Sequence, residues 1–121
     1  MKNKPLVLIV DDDRAMLKII ETILAKNNYE VVTATNGKMA QEAIVVNHDK
    51  LDAILLDRVM PDADGIEIVR WLNSSKKISK PPIIMFTVLD KPEQVQEGID
   101  EGVFYYLTKP IQENVLKSVL V

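Results

Sequence analysis

The chain has 121 residues, no cysteine and a formal net charge of −3. This length suits one domain, residues 1–121, and the acidic balance provides no basic surface for a nucleic-acid backbone. The opening apolar run is too short for a signal peptide or a membrane span, so we expect a cytoplasmic protein that binds neither nucleic acid nor membrane.

Short apolar runs alternate with helical periodicity in the first half of the chain. The continuous run Leu6 to Val10 is typical of a strand buried on both faces. A helix is predicted after it, with Asp13 as its cap. Val31 to Ala34 predicts a second strand, and Asn36-Gly37 precedes a second predicted helix. The residues predicted to form the apolar face of the first helix are Met16, Ile19, Ile20, Ile23 and Leu24.

The second half of the chain continues the same alternation. Ala53 to Leu56 predicts a third strand that ends at Asp57. The segment RVMPDADG after it must be a loop, because it contains a proline and an Asp-Gly pair, and Asp64 is placed to cap the next helix. The later predicted elements are a helix from Gly65 to Leu72, a strand from Ile83 to Phe86, a helix from Asp90 or Lys91 to Glu101, a strand from Phe104 to Thr108 and a final helix within 111–120.

Five β/α units in succession predict an α/β fold with a parallel five-stranded sheet, right-handed crossovers and five helices on its two faces. For a chain of this size the expected strand order is 2-1-3-4-5, the flavodoxin-like doubly wound arrangement. The carboxyl ends of parallel strands share one edge of the sheet, where ligands of such folds bind. Residues that follow the strands are therefore expected to meet.

Five polar residues stand where the predicted strands run out: Asp11, Asp12, Asp57, Thr87 and Lys109. Three carboxylates in one crevice repel each other unless a cation or protons compensate. A hard divalent cation resolves the conflict, because Mg2+ prefers oxygen ligands. Taken alone, a triplet such as Asp11 to Asp13 caps a helix about as often as it forms a metal site. The carboxylate of Asp57, at the end of another strand, favours the metal site.

These residues, together with LLDRVMPDADG around Asp57 and YYLTKP around Lys109, resemble the receiver domain of bacterial two-component response regulators. The resemblance covers essentially the whole chain. It implies that Asp57 accepts a phosphoryl group from a sensor histidine kinase or a histidine phosphotransfer protein. It also implies a requirement for Mg2+, for which Mn2+ is the expected substitute, and a protein that is not a turnover enzyme.

The resemblance also assigns a role to each residue of the pocket. The metal is held directly by Asp12, by Asp57 and by the backbone carbonyl of Val59, and through water by Asp11. Lys109 pairs with the phosphoryl or carboxylate oxygens, and Thr87 donates a hydroxyl hydrogen bond to the phosphoryl group. The bond between Lys109 and Pro110 is the one that receivers usually hold cis, although cis is uncommon for X-Pro bonds in general.

Signalling in the family begins when the threonine moves toward the phosphoryl group. In this chain the resemblance makes Thr87 and the aromatic Tyr106 the switch pair, and Tyr105 should point to the opposite face of its strand. The surface of the fourth helix, fifth strand and fifth helix is then the expected contact for a downstream protein or output domain. The resemblance also allows homodimerisation on phosphorylation.

Three residues depart from the usual receiver pattern. Val88 stands where receivers generally carry a small residue, and its methyl groups are expected to narrow access to Asp57. Val59 and Leu89 occupy variable positions that hold polar, water-orienting groups in fast-cycling members. We therefore hypothesise a long-lived phosphoaspartate.

Two alternative functions stay open. The segment LIVDDDRA partly resembles the nucleophile motif of haloacid dehalogenase phosphohydrolases, with Asp11 as nucleophile, but Ala15 replaces the expected residue and the late acidic metal pair of that family is missing. A degenerate receiver that acts as a constitutive docking module is the other alternative. The complete set of five polar residues argues against it, and Val88 argues for it.

Overall fold

The computed structural model describes residues 4–88 and 91–120, which form a parallel five-stranded sheet in the order β2-β1-β3-β4-β5. The strands are β1 (Leu6–Val10), β2 (Glu30–Ala34), β3 (Leu51–Asp57), β4 (Ile83–Thr87) and β5 (Tyr105–Thr108). The helices are α1 (Arg14–Lys26), α2 (Gly37–Asn47), α3 (Gly65–Ser74), α4 (Pro92–Asp100) and α5 (Glu113–Leu120). The predicted fold class and strand order are confirmed. None of these helices has the length and hydrophobicity needed to cross a membrane.

The sheet separates two apolar cores, because successive strand residues point to opposite faces. In β1, Leu8 and Val10 pack with residues of α2 and α3 on one face, whereas Val7 and Ile9 pack with residues of α1 and α5 on the other. All four side chains are almost completely buried. This two-sided burial explains why β1 is a continuous apolar run rather than an alternating one.

Two aspartates begin helices at the edge of the sheet where the strands end. The Asp13 carboxylate accepts the backbone N–H groups of Ala15 and Met16, at 3.0 and 3.2 Å. Asp64 caps α3 in the same way and forms a reciprocal capping box with Glu67. Both predicted caps are confirmed, and such caps typically stabilise a helix by about 1 kcal/mol.

The burial of α1 differs from the predicted apolar face. Leu17, Ile20 and Leu24 form the buried stripe, whereas Ile19 is 54% exposed. The reason is geometric, because five apolar residues spread around more of the helix than its contact with the sheet covers. The sequence pattern alone did not show which of them face outward.

Several predicted boundaries shift by a residue or two, among them the starts of α4 and β5. Lys91 is the N-cap of α4, so the helix begins at Pro92, while Asp90 lies outside the described residues. β5 begins at Tyr105 rather than Phe104, although the Phe104 N–H already donates to the carbonyl of Ile83 over 2.8 Å. The side chain of Phe104 is 63% exposed, so it lies outside the core.

Candidate functional site

The polar residues at the strand ends do converge on one edge of the sheet. Asp57 is the last residue of β3 and lies level with Phe86 of β4 in the strand register. Thr87 is the last residue of β4, and its carbonyl accepts the N–H of Lys109 over 2.9 Å. Asp11, which follows β1, is fully buried, as is Thr87. The pocket is therefore built from the ends of four strands.

Lys109 is the cation at the centre of this pocket. Its Nζ lies 2.9 Å from Oδ2 of Asp11 and 3.1 Å from Oδ2 of Asp57. The same ammonium lies 5.1 Å from the centre of the Phe86 ring, a distance at which a cation is attracted to an aromatic face. One lysine thus joins the carboxylates that follow β1 and end β3.

The second oxygen of each buried carboxylate is also bonded. Oδ1 of Asp11 accepts the backbone N–H of Asp13 over 3.0 Å, and Oδ1 of Asp57 accepts that of Val59 over 3.2 Å. Both carboxylates are therefore fixed in orientation by the chain that follows them. Their Lys109-facing oxygens point into the same space.

A divalent cation fits the donor atoms of this pocket. One carboxylate oxygen from each of Asp11, Asp12 and Asp57 lies within 4.8 Å of the other two. Asp11 and Asp57 are buried, whereas Asp12 is exposed at the mouth. All three donors are oxygens, as Mg2+ requires, and Lys109 alone leaves the three acids with an excess of negative charge. The chemistry of the donor set therefore suits a hard cation.

Burial and the neighbouring charges of the pocket change the pKa of Asp57. Burial raises this pKa from 3.8 to about 6, against the lowering effects of Lys109 and of the Val59 N–H, and nearby Asp11 adds to the increase. Burial also lowers the pKa of Lys109, but its hydrogen bonds to Asp11 and Asp57 more than offset this and leave it above the usual value. The lysine stays charged while Asp57 binds a proton more readily than an exposed aspartate.

The remaining residues singled out in the sequence lie around the pocket. Val59 and Val88 are 49% and 66% exposed. Leu89 lies outside the described residues. Tyr106 is half-buried and packs against the α2 and α3 core, and the Lys109–Pro110 peptide bond is cis as expected.

Arg58 was missed by the sequence analysis. Its side chain is only 5% exposed, and its Nε lies 3.2 Å from Oδ1 of Asp64. The guanidinium also donates to the carbonyl of Gln94 over 2.9 Å and to the Glu97 carboxylate. Gln94 and Glu97 are 36 and 39 residues away in sequence, so no local pattern identifies this arginine.

Asp62 was missed as well. Its carboxylate accepts the backbone N–H groups of Gly37 and Lys38, at 2.8 and 3.2 Å, in the first turn of α2. The bond from Gly37 lowers the pKa of this exposed carboxyl. Asp62 therefore ties the loop after Asp57 to a second helix.

Comparison with known sequences agrees with this geometry. The sequence model described as "Response regulator receiver domain" matches residues 7–121. The chain belongs to this family. Among curated relatives, the receiver domain is similar to the two-component response regulators ARR10 and ARR12 of Arabidopsis thaliana, at 33% and 34% identity over 113 residues. These matches cover 93% of this chain but 20% and 18% of the two plant proteins, so it spans about a fifth of their length.

Solved receiver structures have the same fold. Chemotaxis protein CheY4 of Vibrio cholerae is 30% identical with a TM-score of 0.84, over 97% of this chain and 96% of that one. The receiver domain of Francisella response regulator 1452 is 32% identical with a TM-score of 0.85, over 97% of this chain and 93% of its own. The chain is thus a response regulator receiver domain in both sequence and fold.

Proposed function

We propose that Asp57 is the phosphoacceptor of this receiver domain and that a histidine kinase or histidine phosphotransfer protein is the donor. The observation that carries the proposal is the position of Asp57, with one oxygen 3.1 Å from Nζ of Lys109 and with Asp11 and Asp12 beside it. Among the three acids, Asp57 is the last residue of β3, whereas Asp11 and Asp12 follow β1. It is also the one embedded in the loop motif of the family.

The reaction needs positioning and charge neutralisation more than an acid or a base. A carboxylate oxygen of Asp57 attacks phosphorus, the bond from phosphorus to the donor nitrogen breaks, and an acyl phosphate forms. Lys109 neutralises charge on the oxygens of the transferring group, and the Thr87 hydroxyl donates a hydrogen bond to it. At neutral pH the attacking group is ionised in most molecules, because the pKa of Asp57 is about 6.

We assign the metal to Asp12, Asp57 and the Val59 carbonyl, with Asp11 acting through water. Mg2+ bound there supplies a Lewis acid that offsets the negative charge of the phosphoryl oxygens. Mn2+ is the expected substitute, since it takes the same oxygen ligands. The ammonium group of Lys109 keeps its hydrogen bond to the buried Asp11 and also interacts with the phosphoryl group.

The proposed output is a change in the α4-β5-α5 surface, formed by Pro92–Asp100, Tyr105–Thr108 and Glu113–Leu120. Phosphorylation adds nearly two negative charges beside Thr87, and its hydroxyl is drawn toward them. Tyr106 then moves into the space that the threonine leaves. A downstream protein, an output domain or a second copy of the chain reads this surface, in the cytoplasm and without turnover of a substrate.

The experiment is mapping of the labelled residue. The domain is incubated with Mg2+ and acetyl phosphate, and the modified aspartate is identified by mass spectrometry after borohydride reduction. We expect label on Asp57, loss of label in Asp57→Asn, and retention in the exposed control Asp49→Asn. Label on Asp11 would support the phosphohydrolase instead, and failure to label any residue would support the docking module. Persistent labelling of Asp57→Asn would refute the assignment.

A further inference from the structure

Arg58, the residue after Asp57, is a buried cation that the proposed reaction does not use. Its side chain is 5% exposed, and its Nε lies 3.2 Å from Oδ1 of Asp64. One terminal nitrogen donates to the backbone carbonyl of Gln94 over 2.9 Å, and the other donates to the Glu97 carboxylate. Gln94 and Glu97 belong to α4, whereas Asp64 is the cap of α3. One side chain therefore joins α4 to the beginning of α3.

The loop after β3 is closed at the point where Arg58 contacts Asp64. The backbone carbonyl of Arg58 accepts the N–H of Gly65 over 2.6 Å, and Val59 pairs with Asp64 in an antiparallel bridge. Oδ1 of Asp64 accepts the Ile66 N–H over 3.0 Å in addition to the guanidinium. The planar fork of an arginine holds several acceptors in one fixed geometry. The guanidinium therefore fixes the base of the loop whose Val59 carbonyl we assign to the metal.

Helix α4 depends on polar contacts because it buries little apolar surface. Gly98 is the one buried residue within Pro92–Asp100. One oxygen of the Glu97 carboxylate contacts the buried Arg58, and the other lies 3.1 Å from Arg70 of α3, whose side chain is half exposed. Solvent and salt screen an exposed ion pair much more than a buried one. The contact with Arg58 is therefore the less screened of the two.

We propose that Arg58 is a positioning residue that couples the metal-binding loop to Glu97 of α4, so that the contacts of Glu97 change the affinity of the pocket for Mg2+. The inference rests on the proposed function, because it takes the Val59 carbonyl as a metal ligand. Release of Glu97 frees the guanidinium to move, and the base of the loop moves with it. Coupling between two sites is reciprocal. Binding in the pocket thus changes α4, and a partner that pairs with Glu97 changes the pocket.

The test compares two arginines that hold the same glutamate. Arg58 contacts both Glu97 and the loop, whereas Arg70 contacts Glu97 and Glu101. The variants Arg58→Met and Arg70→Met each remove one guanidinium. Neither leaves a buried acid behind, because the side chains of Asp64 and Glu97 are 42% and 38% exposed. Each variant is combined with Glu97→Gln, which removes the charge of the shared carboxylate.

The first measurement uses the metal-free protein and records the backbone amides of the loop by NMR. We expect Glu97→Gln to shift the amides of Val59 and Asp64 equally in the wild-type and Arg70→Met backgrounds. In Arg58→Met the same substitution should shift them by about half as much or less, because the connecting group is gone. Equal shifts in all three backgrounds, an equal reduction in Arg70→Met, or no shift in wild type would overturn the coupling.

The second measurement titrates Mg2+, and then beryllofluoride as an analogue of the phosphoryl group, with the Asp57 amide as reporter. We expect Glu97→Gln to weaken Mg2+ binding by about twofold or more in wild type and in Arg70→Met, and to cause no further weakening in Arg58→Met. Equal weakening in all three backgrounds, or none in wild type, would refute the proposal. If wild type showed no response to either ligand, the proposed function would be wrong instead, and the first measurement would still decide the coupling.

Discussion

The Asp62 carboxylate accepts the backbone N–H of Gly37 over 2.8 Å, which joins the loop after Asp57 to the first turn of α2. Four residues of this loop separate the two aspartates, and Val59 is one of them. The partial positive charge of a helix N-terminus favours a carboxylate at this place. The loop that presents the Val59 carbonyl is thus held at one end by Arg58 and near the other by Asp62.

Asp62→Ala is expected to weaken Mg2+ binding, because the loop bearing Val59 loses its tie to α2. Loss of such an outer contact typically weakens a metal site by about tenfold or more. Titration with Mg2+ followed by NMR measures the effect. The control is Asp49→Ala, at an exposed acid remote from the loop. Equal Mg2+ affinity in Asp62→Ala and wild type would contradict this role.

The contribution of Asp57 to the stability of the metal-free domain should fall as the pH rises from about 4 to about 6. The pKa of Asp57 is about 6 in the folded protein against 3.8 unfolded, so the folded state binds more protons in this window. Relative to Asp57→Asn, we expect wild type to lose about 2 to 3 kcal/mol of unfolding free energy over the window. Urea unfolding at several pH values measures the difference.

The comparison with Asp57→Asn cancels the contributions of other carboxyl groups, which change the stability with pH in the opposite direction. Glu97 and Glu113 have lowered pKa values, because each is hydrogen-bonded to a basic side chain. Their stabilisation is present above the ordinary pKa of a glutamate and is lost as the pH falls through the lowered value. It is common to both proteins and cancels. A wild-type curve parallel to that of Asp57→Asn would show that Asp57 titrates normally.

Mg2+ should stabilise the domain against heat, because the folded state alone assembles the three carboxylates. At a concentration 100 times the dissociation constant, the gain is about 2.7 kcal/mol, or roughly 10 °C in Tm for a domain of this size. Chelation with EDTA should reverse it, and Asp12→Asn should reduce it to a small fraction. Full stabilisation of Asp12→Asn by Mg2+ would remove Asp12 from the ligand set.

The phosphorylated form should decay slowly. The aliphatic side chains of Val59 and Leu89 offer no polar group that could orient a water for attack on the acyl phosphate. The double variant Val59→Asn, Leu89→Glu should shorten the lifetime by about tenfold or more, because it positions that water. Loss of radiolabel with time gives both rates. An unchanged lifetime in the double variant would end the hypothesis.

Gly65→Ala should destabilise the domain and slow phosphorylation. A Cβ at this position would lie 2.6 Å from the Asp57 carbonyl oxygen and 2.9 Å from the Cα of Arg58, so the backbone itself must move. Overpacking of this kind costs about 1 to 3 kcal/mol. Gly98→Ala is the comparison, because its nearest neighbour is the ring of Tyr106, a side chain that can rotate. Equal behaviour of the two variants would contradict the argument.

The sequence was sufficient for the fold and for the position of the pocket. Apolar runs followed by a polar residue identify strand ends, and parallel strands place those ends together, so Asp11, Asp57 and Lys109 were expected to meet. The roles of Arg58 and Asp62 were not visible. Arg58 reaches Glu97 across 39 residues and Asp62 reaches Gly37 across 25, and such pairings depend on the packed helices rather than on local pattern.

The buried environment of Asp57 could not be predicted from the sequence either. Its raised pKa results from how completely the neighbouring chain covers the carboxylate, which no spacing of residues specifies. The choice of Leu17 over Ile19 for the core has the same origin, since it depends on the rotation of α1 against the sheet. Periodicity predicts that a helix has an apolar side, and packing decides where that side lies.

Lys109 follows Asp11 by 98 positions, so the ribosome makes the acidic part of the pocket well before its counterion. A growing chain that has reached β4 carries the aspartates of β1 and β3 without the ammonium that holds them together. Asp11 and Asp57 therefore gain Lys109 as their counterion only when β5 adds to the edge of the sheet. The strand that completes the sheet thus also delivers the ammonium group that offsets the charge of the two carboxylates.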